Sequence, residues 1–339
     1  MKIEQYYSLE KHNTFRLPVQ TRWFVEYESA NDLQRILRDE YFREWQSLHI
    51  GRGSNLLFLD NWNGVILHSA IRGIEPVDET DAAVWLRVGA GEVWDDVVAH
   101  AAGKGWGGIE NLSHIPGETG AAAVQNIGAY GVEIKDVVET VEAYGQLTAE
   151  KRIFTRKDCL YDYRHSFFKN ETHEPYIITH VVLRLAKHPS FTLDYGDLKA
   201  QLAEGPSLTP AGVREAVIRI RRRKLPDPSE LANAGSFFMN PTVSRSRFDR
   251  LKRDWPDIPS YPAKNGMVKL SAGWLIDQCG LKGTRAGHVG TYARQALVIV
   301  NYGLATGCEI ARFAEQIREQ VKARFGVELA AEVKTVGSE

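Results

Sequence analysis

Ile115-Pro-Gly-Glu-Thr-Gly-Ala-Ala-Ala-Val-Gln-Asn-Ile-Gly-Ala-Tyr-Gly131 is the segment from which the fold of this chain is read. Its seventeen residues hold four glycines, three consecutive alanines and no lysine or arginine. Glycine permits positive φ and lets the backbone approach another group with no Cβ between them. Alanine is the next smallest choice, so the segment is expected to bare its amides. Successive bared N–H groups form concave nests that hold phosphate oxygens. A tight loop between strands, which simply needs small residues, explains the same composition, and the segment alone does not separate the two.

Five further clusters carry chemistry. Gly51-Arg-Gly-Ser-Asn-Leu-Leu follows a predicted strand and begins like the dinucleotide fingerprint GxGxxG. Its sixth position is Leu56, so the third glycine is missing and a Rossmann site is not expected. The choices there are a second backbone cradle or a turn. Tyr161-Asp-Tyr-Arg-His-Ser-Phe-Phe-Lys169 surrounds Arg164 with aromatics; Arg164 either clamps a carboxylate bidentately or forms a structural ion pair. Asn233-Ala-Gly-Ser-Phe-Phe-Met-Asn-Pro241 leaves the hydroxyl of Ser236 accessible, although serine beside glycine is also an ordinary turn residue. Arg219–Lys224 holds five basic residues in six, either a solvated face or a receiver for a diphosphate. Glu332, in Val327-Glu-Leu-Ala-Ala-Glu-Val333, reads most simply as a solvent-facing strand carboxylate. No P-loop, HExxH or GxSxG pattern occurs.

Composition narrows the class. The 339 residues suffice for two or three domains, and 43% hydrophobic with 25% charged residues is an ordinary globular balance. A net charge of −1 offers no general attraction to nucleic acid or anionic membrane, so an anionic ligand must be met by local groups. Cys159, Cys279 and Cys308 are dispersed and odd in number, giving neither a CxxC metal site nor a disulfide framework. No metal is expected. The N-terminus lacks the apolar run of a signal peptide, no stretch approaches a membrane span, and the chain reads as cytoplasmic. A cytosolic chain would not use the sequons at Asn111 and Asn170.

Periodicity predicts strands at Trp23–Tyr27, Ser47–Ile50, Gly64–His68, Val84–Val88, Val137–Tyr144, Lys151–Thr155, Ile177–Ala186, Leu297–Asn301 and Gly326–Val333. Helices are predicted at Ala30–Glu40, Glu92–Gly103, Val213–Arg222 and Glu309–Phe325. Lys187–Pro210, with Pro189, Gly205, Pro206 and Pro210, reads as a boundary.

Taken in order, Gly51–Asn55, Ile115–Gly131, Tyr163-Arg164-x-Ser166, Tyr195-Gly-Asp-Leu, Lys224-Leu-Pro-Asp-Pro, Ala234-Gly-Ser-Phe-Phe, Ala272-Gly-Trp-Leu-Ile and Glu332 resemble the UDP-N-acetylenolpyruvoylglucosamine reductase family. The resemblance covers nearly the whole chain, and the tyrosine segment resembles the family's type I branch. It implies an α+β fold: an FAD-binding region of the p-cresol methylhydroxylase type in two subdomains, residues 1–70 and 71–207, then a substrate-binding domain over 208–339. FAD, bound without a covalent link, would be held by Gly51, Gly53, Ser54, Asn55, Ile115, Pro116, Gly117, Gly120, Ala121, Ala122, Gln125, Asn126 and Gly128, with Arg221 reaching its diphosphate. Tyr195, Lys224, Asn240 and Gln295 match positions that contact the UDP-sugar. Arg164, Ser236 and Glu332 match the catalytic set.

The implied reaction belongs to cell-wall precursor synthesis. NADPH supplies hydride through the flavin to an enolpyruvyl group, Ser236 supplies the proton, Arg164 stabilises the charge that builds toward the carboxylate, and Glu332 positions or relays the proton. A monomer is expected, with no nucleic-acid or membrane partner. Ala121 and Ala122 stand where the family often has hydroxyls, Met239 replaces a usual lysine, and Ala330-Ala331 replaces a more polar approach to Glu332. Lower affinity, not lost activity, is the expectation. The alternatives are another FAD-dependent sugar or alcohol oxidoreductase of the same fold, or an inactive ligand-binding relative.

Overall fold

The computed structural model describes residues 1–169, 174–203, 205 and 207–337. Asn170 of the second sequon and Pro206 of the expected boundary lie outside the described residues. The chain divides into two compact units, one of Met1–Tyr7, Gln20–Arg52 and Trp62–Arg223, the other of Ser8–Val19, Gly53–Asn61 and Lys224–Glu339.

The first unit contains two principal sheets. In the four-stranded one, Gln20–Tyr27 and Ser47–Ile50 both pair parallel to Trp62–Ser69, for example Val25 with Leu67 and Leu48 with Ile66. Helix Ala30–Arg38 lies in the connection between these two strands, which flank Trp62–Ser69 on either side. Ser29 caps this helix by accepting the Asp32 amide at 3.1 Å, and Leu33, Ile36 and Leu37 form its buried face. It stops short of the expected Glu40 because Asp39 leaves helical geometry and caps a separate turn, Glu40–Arg43.

The second sheet is antiparallel and five-stranded, in the order Lys151–Thr155, Val138–Gly145, Tyr176–Ala186, Ala83–Gly89, Ile74–Glu79. Alternate residues Val84, Leu86 and Val88, with Val181, Leu183 and Leu185, join the core that also holds Trp94, Val97, Val98 and Ala101 of helix Trp94–Gly103. The buried Trp94 indole donates to the Leu112 carbonyl at 2.9 Å, so its polar edge is not wasted. Helix Pro210–Lys224 is longer than expected and packs Val213, Ala216, Val217 and Ile220 against Leu198, with Tyr130, Phe191 and Leu193 alongside.

In the second unit, Ala232–Ser236, Gln295–Asn301, Val289–Tyr292 and Arg285–Ala286 form one sheet; Thr242–Val243, Val268–Leu270 and Ser260–Pro262 form another. Helix Gly307–Phe325 buries Ile310, Phe313, Ile317 and Val321, as their spacing requires. Thr306 and Glu309 close a capping box at its start, and Gly326 ends it in the left-handed region at φ 62. The expected strand over Gly326–Val333 does not form. Val327 and Leu329 are buried with the alternation of a strand, but the Leu329 carbonyl accepts from Arg318 at 3.0 Å and only Ala331 makes a bridge, with Phe238. The last strand is Lys334–Val336, parallel to Leu56–Phe58.

Candidate active site

The glycine- and alanine-rich segment is not a simple loop. Thr119–Gln125 is a short helix, consistent with three successive alanines, the best helix formers. Most of the amides expected to be bared are spent on carbonyls of the protein. Thr119 donates to Glu92 O and Gly120 to Ala90 O, each at 2.9 Å, and Ala122 donates to Glu118 O at 2.8 Å. Ala122 is buried, while Ala121 is half-buried. A Cβ on Gly120 would stand 2.9 Å from the Ala90 methyl, so glycine is required for that approach. Asn126 ends the helix at φ 44 and is fully buried; its amide donates to Glu133 Oε2 (2.9 Å) and Asp162 O (2.8 Å), and its oxygen accepts from Lys135 N (3.2 Å). Lys169 donates to the Gln125 side-chain oxygen at 3.0 Å. Ile115 is half-buried, Pro116 exposed and Gly117 buried at φ 134.

The same unit brings several other expected residues to this segment. A Cβ on Gly51 would lie 3.0 Å from Glu118 Oε2 and 3.4 Å from the Ala121 methyl. Arg164 donates from Nη2 to the Gly128 carbonyl at 3.2 Å, and Tyr195 meets Tyr130 edge-on at 6.2 Å. Arg221 donates from Nε to the His114 carbonyl at 3.1 Å. His114, Asn126, Tyr130 and Arg164 all hold positive φ, between 44° and 59°. Such backbone costs about 1 kcal/mol or more per residue, and it concentrates at functional sites.

The electrostatics favour an anion. Burial lowers the pKa of Arg221; Tyr130 and then Asp95 work against that, and the charge of Arg164 adds a smaller lowering. Among the described residues, Arg221 makes no ion pair. A guanidinium desolvated in this way is stabilised by bound negative charge.

Sequence reasoning missed a buried network beside Gly51. His68 stands between Glu26 (Nδ1 to Oε2, 2.9 Å) and Glu118 (Nε2 to Oε1, 3.2 Å). Burial disfavours its charged form, but hydrogen bonds and charge from the two carboxylates outweigh that, and its pKa is raised. Glu118 lies in the glycine- and alanine-rich segment, but Glu26 and His68 belong to no motif, and the three meet only through tertiary packing.

The second unit holds the other expected residues. Gly53 is at φ 65, and a Cβ there would fall 2.0 Å from the His12 carbonyl oxygen. Ser54 is half-buried. The Asn55 side-chain amide donates to the Glu332 carbonyl oxygen at 3.0 Å, and its own carbonyl accepts from Lys334 N at 3.0 Å. Ser236 ends strand Ala232–Ser236, opposite Val298, just after Gly235 at φ 68 breaks the register. One residue on, the Phe237 carbonyl accepts the Glu332 amide at 2.8 Å, and Met239 N donates to Ala330 O at 2.9 Å. Ser236 and Glu332 are both half-exposed, so a hydroxyl and a carboxylate stand on neighbouring segments. Glu332 is therefore not a ladder residue of a strand but lies in the turn leading into one.

Asn240 and Gln295 come together at helix Ala272–Gln278. Asn240 Oδ1 accepts the Ala272 amide at 3.0 Å, and a Cβ on Gly273 would stand 2.9 Å from Gln295 Oε1. Lys224 is exposed at the end of helix Pro210–Lys224. Among the described residues no His, Cys, Asp and Glu cluster could hold a metal, and no helix is long and apolar enough to cross a membrane.

Residues 227–336 match the profile of the UDP-N-acetylenolpyruvoylglucosamine reductase C-terminal domain, and residues 21–150 match that of an FAD-binding domain. The UDP-N-acetylenolpyruvoylglucosamine reductase of Porphyromonas gingivalis (strain ATCC 33277) is 49% identical over 338 residues, covering 99% of this chain and 100% of that protein. The crystal structure of the Thermus caldophilus UDP-N-acetylenolpyruvylglucosamine reductase shares the fold at a TM-score of 0.70 and 24% identity, covering 99% of this chain and 100% of that one. The 6-hydroxy-D-nicotine oxidase of Arthrobacter nicotinovorans aligns at a TM-score of 0.55 and 13% identity, over 96% of this chain and 86% of that one. The fold is thus α+β, with an FAD-binding region of the p-cresol methylhydroxylase type. By its fold, its domain profiles and its identity over almost all of its length, this chain is a member of the UDP-N-acetylenolpyruvoylglucosamine reductase family of oxidoreductases.

Proposed function

We propose that the protein reduces the enolpyruvyl group of UDP-N-acetylenolpyruvoylglucosamine to the lactyl ether, giving UDP-N-acetylmuramate, with NADPH as hydride source and non-covalent FAD as carrier. The observation that carries this reading is the pairing of Glu332 with Phe237, which puts a carboxylate residue beside the segment that presents Ser236. A simple binding protein has no use for a proton donor in that setting.

FAD, when bound, supplies hydride to the methylene carbon of the double bond. The second carbon then needs a proton, and negative charge builds on it and on the attached carboxylate. Ser236, half-exposed at a strand end, donates that proton. Glu332, tied through its backbone to Asn55 and Phe237, holds the serine proton in place and relays its replacement. Arg164, whose guanidinium is tethered to the Gly128 carbonyl, meets the carboxylate and stabilises the developing charge. Arg221 serves the diphosphate of the cofactor, consistent with a desolvated guanidinium that donates to the neutral His114 carbonyl. Residues of Ile115–Gly128 and Gly51–Asn55 would hold the cofactor.

Tyr195, Lys224, Asn240 and Gln295 take the UDP-sugar in this reading, Tyr195 as an exposed ring that can fold over it. Residues 1–70 and 71–207 form the cofactor region and 208–339 the substrate domain. Helix Pro210–Lys224, up to Arg223, belongs to the first compact unit rather than to the unit that holds the rest of 208–339, which supports the assignment of Arg221 to the cofactor. The protein acts as a cytoplasmic monomer on a soluble nucleotide sugar.

Steady-state turnover tests the proposal. NADPH oxidation should depend strictly on the enolpyruvyl substrate, with a product heavier by one hydride and one proton. Oxidation at the same rate without substrate, using oxygen, would favour an oxidase of the same fold.

A further inference from the structure

Arg214 and Arg221 lie seven residues apart, about two turns, on helix Pro210–Lys224, and both reach a single residue, His114. Arg221 does so directly, through the 3.1 Å bond from Nε to the His114 carbonyl. Arg214 does so through Asp95. It forms a bidentate pair with that carboxylate, Nη1 to Oδ1 at 2.5 Å and Nη2 to Oδ2 at 2.9 Å. Asp95 Oδ1 also accepts the His114 backbone N–H at 2.5 Å. The His114 carbonyl is thus held directly from this helix, and its N–H is held by Asp95, which Arg214 of the same helix grips.

The held residue is strategic. His114 has φ 59, a left-handed value that a non-glycine residue keeps only when its surroundings enforce it. It immediately precedes Ile115-Pro116-Gly117, so its conformation sets the direction in which the glycine- and alanine-rich segment begins. Asp95 comes from the first turn of helix Trp94–Gly103, which makes the anchor a rigid one. Burial works against ionising Asp95, but the Arg214 hydrogen bonds and the His114 amide outweigh it and lower its pKa, so the clamp keeps its charge at neutral pH. The side chains of Asp95 and Arg214 are only 25% and 18% exposed, which limits screening by water.

We infer that Asp95 and Arg214 are positioning residues for Arg221. By fixing the helix and the His114 turn to each other, they hold the Arg221 guanidinium where an anionic cofactor is gripped. An arginine side chain has much rotamer freedom to lose on binding, and a preset one loses less of it at that moment. The inference rests on the flavin reading above, because it takes the anion to be the diphosphate of FAD.

The test is FAD affinity, measured by the fluorescence change when flavin-free protein is mixed with FAD. It compares wild type with Asp95→Asn, Arg214→Met, Arg221→Met and the double variant Asp95→Asn/Arg221→Met, alongside the melting temperature of each flavin-free protein. Asp95→Asn keeps an oxygen for the His114 amide but removes the charge that holds Arg214. Asp95→Asn and Arg214→Met should each weaken FAD binding by about fivefold or more, and the double variant should bind no worse than Arg221→Met alone, because coupled residues fail to add. If Asp95→Asn does not fold, Arg214→Met and its combination with Arg221→Met make the same comparison. Losses that multiply in the double variant, or wild-type affinity in Asp95→Asn, would overturn the clamp while leaving the flavin reading intact. Wild-type affinity in Arg221→Met would overturn the clamp as well, since nothing would then be positioned. A wild-type protein that takes up no FAD would overturn both.

Discussion

The side-chain amide of Asn55 donates to the backbone carbonyl of Glu332 at 3.0 Å, across 277 residues of chain. Asn55 thereby fixes the segment that carries the carboxylate beside Ser236. Asn55→Ala removes this bond and leaves the Glu332 carbonyl to water. The expected cost is about 1 kcal/mol of stability in chemical denaturation. Turnover should fall several-fold while KM for the enolpyruvyl substrate stays near its wild-type value. An unchanged turnover number would show that Glu332 does not need this anchor.

Ser236→Ala separates the two halves of the reaction. Stopped-flow mixing with NADPH should show flavin reduction at the wild-type rate. Reoxidation by the enolpyruvyl substrate should slow by about 10²–10⁴, the usual contribution of a positioned proton donor. Equal slowing of both half-reactions would remove Ser236 from that role.

His68 gives the fold an alkaline limit. Its folded pKa is raised above the unfolded 6.5, so its ion pairs with Glu118 and Glu26 stabilise fully below 6.5 and are lost as pH rises through the folded value. The melting temperature of wild type should therefore exceed that of His68→Gln most at about pH 6 and least at about pH 9. A pH-independent difference would contradict a charged His68.

Glu142 sets the acid side. Arg87 first, then Lys151, hold its pKa down at about 2 against burial, from an ordinary 4.5. A depressed carboxylate stabilises fully above its unfolded pKa and loses that contribution as pH falls through the folded one. The window is pH 4.5 down to about 2, and the contribution is on the order of 2–3 kcal/mol. Glu142→Gln should unfold less steeply with acid across that window; an acid limb as steep as that of wild type would count against the assignment.

The parts of this fold legible in the sequence are those governed by local periodicity. Strands Ser47–Ile50 and Lys151–Thr155 fall where alternation and turn residues put them, and the stripe from Ile310 to Val321 marks helix Gly307–Phe325. Helix Thr119–Gln125 was not legible, because glycine and three alanines make no amphipathic stripe and glycine argues against a helix. The buried Val327 and Leu329 mimic a strand, but the Leu329 carbonyl accepts from the Arg318 side chain instead of from a neighbouring strand.

The candidate site was legible as motifs in family order and not as geometry. Nothing local tells that Gly53–Asn61 packs with the C-terminal unit while Gly51 stays with the first, or that Asn55 reaches Glu332. The same is true of Asp95 and Arg214, which meet across 119 residues, and of His68 with Glu118. Such contacts are set by packing, and no single segment encodes them.

The central claim, that this protein carries hydride from NADPH to an enolpyruvyl sugar through bound flavin, is tested most directly by an anaerobic absorbance titration of the purified FAD-loaded protein. The account predicts that NADPH bleaches the flavin bands and that UDP-N-acetylenolpyruvoylglucosamine alone restores them. Bands that NADPH leaves unbleached, or that return only when oxygen is admitted, would contradict it.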